Sequence, residues 1–280
     1  MNTPAKYGAG RRLSGKNRYL ELLSRDLVRF LQVNLLTILC LLPLLLAVDY
    51  AIVTRSVLVL LCLCIPSGIP AGAGITGMYD CVLRSLRDAP GGMWENYKKA
   101  WKQNFKGAIL PGIVFSLVVG FYGFVLFVLG LGEIANGKLF YALYLVGIFL
   151  FSLIYTVLWP MYTLFALKPS DFFRNQLLFT VRYFFRVIGT SLLNLGYWVL
   201  MLLLVPYSLV LMPFFGFWFI IFSSSFLLYD SMNEMFQIEE SIADLYPDQV
   251  PFYETDEEWL ERKQKENEAT EAETESSPKV

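Results

Sequence analysis

Histidine is absent from all 280 residues. Its absence removes the side chain best suited to proton transfer near neutral pH, and with it Ser–His dyads, histidine zinc sites and an axial haem histidine. Cysteine is scarce: Cys40, Cys62, Cys64 and Cys81. Three of the four lie in apolar runs and none has partners at metal-ligand spacing, so all read as packing residues. The one glycine-rich motif, GAGITG at 72–77, lies inside an apolar run without the following Lys-Ser/Thr or the strand that a phosphate loop needs. Carboxylates do not cluster before the C-terminal tail. No charged residue lies centrally in any long apolar run, which argues against a proton relay or an ion-coupled pump. These absences give an expectation of no enzyme: no catalytic residue, no cofactor and no metal.

What is present is apolar. Hydrophobic residues make up 56% of the chain, and mean hydropathy is +0.51. A chain this short of polar surface needs lipid as part of its solvent. Charge is segregated: 16 of 24 acidic residues lie from Asp230 onward, but only 4 of 23 basic ones. The basic body suits membrane topology, since lysine and arginine gather on the cytoplasmic side. Nucleic-acid binding would need a basic aqueous domain, and none is visible.

The pattern of runs predicts an all-α polytopic bundle of about six spans with cytoplasmic amphipathic interfacial helices. A basic N-terminus, 1–27, precedes a transmembrane domain, 28–229. Its spans are expected near 28–48, 56–79, 108–131, 139–167, 187–212 and 214–229, the last two joined by a tight turn at Pro213 and Gly216. Interfacial helices are expected near 93–106 and 171–186. The acidic tail, 230–280, reads as largely disordered after about 262. Segments 1–27, 80–107 and 168–186 hold 6, 6 and 4 Lys/Arg, against Arg55, Lys138 and none on the other side. That count places both termini in the cytoplasm of a multi-pass cell-membrane protein.

Three stretches carry candidate function. In the first span Gln32, Asn34 and Thr37 share a face that should point into the bundle, as helix–helix glue or as part of a ligand site. In the second, Pro66 and Pro70 remove backbone donors, while Gly68, Gly72 and Gly77 are small. This reads either as a discontinuous helix binding solute or as a tightly packed kink. After the exit at Met78-Tyr79-Asp80, Trp94, Tyr97, Trp101 and Phe105 fall on one helical face, with Lys98, Lys102 and Lys106 alongside. That face suits a lipid headgroup boundary or a partner protein.

FLQVNLLTILCLLP at 30–43, GIPAGAGITGMYDCVLRSLRD at 68–88 and WENYKKAWKQNFKGAIL at 94–110 resemble the YesL-like family of bacterial integral membrane proteins. The matching positions are Asn34, Pro43, Pro70, Ala71, Trp101, Asn104, Phe105 and Lys106, and the likeness covers about 17–230. Ile69 and the long acidic tail depart from that pattern. The resemblance implies a multi-span bacterial protein of a kind often encoded beside carbohydrate-uptake genes, and no catalytic residue. The expected function is therefore a non-enzymatic accessory or regulatory membrane component. Its partners would be the lipid bilayer and membrane transport components, with no nucleic acid. The alternative is a small-solute transporter or channel using the second span. Oligomeric state is not readable from these motifs.

Overall fold

A computed structural model of the chain describes residues 12–89, 91–129, 137–165 and 169–245, together with the single position 264. The acidic tail beyond 245, the loop 130–136 and Lys168 lie outside the described residues. Eight helices account for almost everything described: α1 Gly15–Thr54, α2 Val57–Leu86, α3 Met93–Phe124, α4 Lys138–Leu164, α5 Pro169–Arg182, α6 Phe184–Leu203, α7 Tyr207–Phe236 and α8 Ile238–Leu245. A π-helical turn, Val125–Leu129, extends α3. Six of these helices (α1, α2, α3, α4, α6 and α7) are long and apolar enough to cross a membrane. The fold is all-α, as the sequence predicts.

The central element is α2, which packs along α1 and α3 and also touches α4 and α7. Its small residues make this possible. A Cβ added at Gly72 would collide with the Ala108 carbonyl, and one at Gly68 would sit 2.5 Å from Ile113 Cα. Gly112 of α3 returns the contact against Gly68 and Gly72. The two backbones therefore meet along a seam that any side chain would pry apart.

Pro66 and Pro70 do not break α2, which is one helix from Val57 to Leu86. Of the two readings of this stretch, the discontinuous helix is not what is seen, and the tightly packed one fits. Each proline costs one backbone bond, but inside a packed bundle the neighbours keep the helix continuous through it. The Ser67 hydroxyl helps, donating to Leu63 O at 2.6 Å and Pro43 O at 3.2 Å.

Three other boundaries differ from expectation. The turn between the fifth and sixth spans lies at Leu204–Pro206, so Pro213 and Gly216 fall inside α7. Proline and glycine mark a turn and a kinked helix equally well. The expected interfacial helix at 93–106 is the first half of α3 and runs unbroken into the span. The second, expected at 171–186, is α5 and is separated from α6 by Tyr183 alone.

Candidate functional site

The helix broken inside the apolar region is α7. Gly216 has non-helical dihedrals, φ −40° and ψ −117°, so backbone groups on both sides lose their partners in the helix ladder. The Asn34 side chain, fully buried on α1, fills the gap. Its Nδ2 donates to Met212 O and Pro213 O, both at 2.9 Å. Its Oδ1 accepts from Phe217 N at 2.9 Å and Trp218 N at 3.3 Å. Two donors and two acceptors use the whole capacity of the amide. Tyr197 of α6 closes the other side, its hydroxyl donating to Phe215 O at 2.5 Å and Gly216 O at 2.7 Å. Trp218 Nε1 takes Phe214 O at 2.6 Å, and its ring stacks on Phe30 with centroids 5.6 Å apart.

Asn34 therefore works with α7, whereas the residues grouped with it from the sequence are engaged elsewhere. Gly68 and Gly72 are filled by the α3 backbone, and Gly77 lies under the Tyr97 ring, 2.7 Å from where its Cβ would be. Pro66 and Pro70 stay within the unbroken α2. The structure does not bring these six residues into one pocket.

At the end of the bundle where α2 stops, buried charges form a belt. Asp26 accepts from Ser85 Oγ at 2.6 Å and pairs with Arg25 at 2.8 Å and Arg29 at 3.2 Å. Asp88 pairs with both Arg18 and Arg25. Arg84 pairs with Asp80 at 2.8 Å, one turn away on α2. Arg12 reaches Glu239 of α8 through both carboxylate oxygens and also donates to Leu86 O. Burial works against the charge on Arg12, but the Glu239 carboxylate outweighs it and raises its pKa. Arg87 is buried with its Nε unpartnered, and burial, then the neighbouring Arg84, pushes its guanidinium below the usual arginine value. A cavity of about 20 Å³, room for one water, opens between Arg25, Asp26, Arg29, Arg84 and Ser85.

Sequence reasoning missed this belt. Its arginines sit where basic residues also serve topology, so their count hid their pairing. Asp26 between Arg25 and Arg29 was the available signal, since a carboxylate there does nothing for topology.

The aromatic–lysine face of α3 is only partly as expected. Lys98, Lys99, Lys102 and Lys106 are exposed, and Trp94 is 59% exposed. Trp101 and Phe105 pair with centroids 4.9 Å apart and are half-buried. Tyr97 is the correction: it turns inward onto Gly77, with its hydroxyl 3.8 Å from Cys40 Sγ. Because α3 is one helix packed along α2, its aromatic face serves the core before it serves the surface. On α5 the division is cleaner. Phe172, Gln176 and Phe179 face inward while Phe173, Leu177 and Val181 stand exposed.

Among the described residues no group of three or more Cys, Asp and Glu side chains could hold a metal. Helices, belt and plugged break together define a multi-pass α-helical membrane protein. The chain matches no family model, no curated protein and no solved structure.

Proposed function

We propose that this chain is a non-enzymatic accessory or regulatory component of the cell membrane, working with a carbohydrate uptake system, its charged end and both termini in the cytoplasm. The observation that carries this reading is the Asn34 plug. The broken helix, the place where a transporter exposes backbone groups to a solute, has those groups occupied by Asn34, Tyr197 and Trp218. What faces outward instead is a row of exposed lysines on α3. The YesL-like motifs support the carbohydrate link, and the Lys/Arg count supports the orientation. The test is purification of the full-length protein from its own membranes in mild detergent, during growth on sugars. A sugar permease component should co-purify, and its absence with and without residues 246–280 overturns the proposal.

One observation favours a second reading. A discontinuous helix does exist, in α7 rather than in α2, and a small-solute transporter would use it if the Asn34 side chain swung aside. Proteoliposomes challenged with a sugar panel decide this. Flux that Asn34→Ala alters would establish transport, and no flux from either protein removes it.

A further inference from the structure

α1 is a single helix of 40 residues, about 60 Å long, twice the thickness of a bilayer core. Its contact with Ser85 through Asp26 marks the charged end of α2. From Asp26 back to Gly15 the helix continues about 16 Å further. One side of this extension is used: Arg18, Leu22 and Asp26 are buried against the bundle. The other side is not. Leu13, Asn17, Leu20, Ser24 and Leu27 are exposed and line a shallow open groove.

The spacing of these five alternates four and three. Within the helix that places Asn17 and Ser24 at a positions and Leu20 and Leu27 at d positions of two heptads. The bundle-facing residues then fall at b, f and c, clear of the seam. Lys16 takes a g position, and Glu21, which pairs with Arg18 at 2.9 Å on its own helix and keeps its side chain 39% exposed, takes the e position five residues on. In a parallel pair these face each other across the seam, and by symmetry they do so twice. Leu23 and Val28, the next g and e, make an apolar pair. Both a positions are polar, so the apolar contact of the seam rests on Leu20 and Leu27, with the Asn17 amide able to bond its own copy across it. The bilayer adds its own constraint, since inserted copies share one orientation and meet about an axis normal to the membrane. A surface-lying amphipathic helix is a poor alternative. α1 is unbroken between this stripe and its span, so the stripe stands off the membrane instead of lying on it.

We propose that this stripe is a two-heptad parallel coiled-coil seam joining the chain to a second copy. Two heptads bury little area, but confinement to the membrane keeps the effective concentration of partners high. The seam is independent of the accessory role and meets the charged belt only through Glu21, which also pairs with Arg18.

The test uses the full chain in native membranes, with Cys62→Ser to remove the exposed native cysteine. Under mild oxidation, Leu20→Cys and Ser24→Cys should each give a disulfide-linked dimer, and Lys102→Cys on exposed α3 should not. Lys16→Glu or Glu21→Lys alone should weaken the dimer roughly threefold or more, the scale of two surface ion pairs, with the unfolding midpoint followed in parallel because Glu21 also pairs with Arg18. The double exchange should restore it. The readout is energy transfer between labelled copies on dilution into lipid vesicles. Equal crosslinking at all three positions overturns the seam, as does monomer fluorescence at every dilution. A photo-crosslinker at position 20 that captures lipid, another protein or residues beyond 245 of the same chain also overturns it.

Discussion

At the scale of single residues, Asn34 is the most consequential side chain in the bundle. Hydrogen bonds between membrane helices average roughly 0.6 kcal/mol each, and a buried group left without its partner costs about 1–3 kcal/mol. Asn34→Leu strands two amides and two carbonyls at once. It should therefore destabilise the protein by about 2–4 kcal/mol, read as a lower unfolding midpoint in detergent. Asn34→Asp sets a carboxyl oxygen against the Met212 and Pro213 carbonyls and buries a titratable group, so at neutral pH it should cost at least as much as Asn34→Leu and recover partly in acid, where the protonated form can donate one bond. The glycines allow an internally controlled comparison. A methyl at Gly72 meets the Ala108 carbonyl, whereas one at Gly189 meets nothing within 4 Å. Gly72→Ala should cost about 1–3 kcal/mol through forced backbone movement. Gly189→Ala should be neutral or gain up to about 1 kcal/mol of helix propensity. Comparable losses at both sites would mean that the α2–α3 seam is not the close contact described. That Asn34 needs a partner was legible in the sequence, because an amide in an apolar run has no other option. The identity of the partner was not, because it depends on a break 180 residues away in the chain.

At the scale of elements, the spans were legible and their internal shape was not. Length and hydropathy identify six crossings, and these are local properties. Whether a proline breaks a helix depends on what packs around it. Pro66 and Pro70 lie within the continuous α2, while Pro213 precedes a real break at Gly216. The sixth span offered a warning, because 16 residues are too few for a full crossing, and the missing turns lie at both ends of α7, from Tyr207 to Pro213 and from Asp230 to Phe236. The elements are tied together at the charged end, and the ion pairs there should differ sharply in importance. Arg18 and Asp88 have side chains only 7% and 3% exposed, and Asp88 also holds Arg25. Asp88→Ala takes one partner from each of two guanidinium groups, Arg18 keeping Glu21 and Arg25 keeping Asp26, and should cost about 2–3 kcal/mol. Arg182 and Glu234, 59% and 62% exposed, should contribute about 0–1 kcal/mol. Parallel denaturation of Asp88→Ala and Glu234→Ala checks the ranking, and equal losses would rule out a buried belt.

At the scale of the whole molecule, the distribution of charge makes a prediction that the helix order turns into a concrete measurement. Six crossings place the α1 start, the α2–α3 junction, the α4–α6 connection and the α7 end together. They place Arg55, Gly137 and Leu204–Pro206 at the opposite end. The first group carries the belt and the exposed lysines of α3, and translocating that much positive charge is unfavourable. Its end of the bundle should therefore face the cytoplasm. With Cys62 replaced by serine, Arg55→Cys and Gly137→Cys should react with an impermeant maleimide on intact cells. Lys102→Cys should react only after lysis. The reversed pattern would refute the orientation while leaving the bundle intact. Labelling of all three from outside would mean that the α2–α3 junction is on the far side, with neither α2 nor α3 making a crossing. The experiment thus separates an error in the sense of insertion from an error in the helix count, which the charge tally by itself does not distinguish.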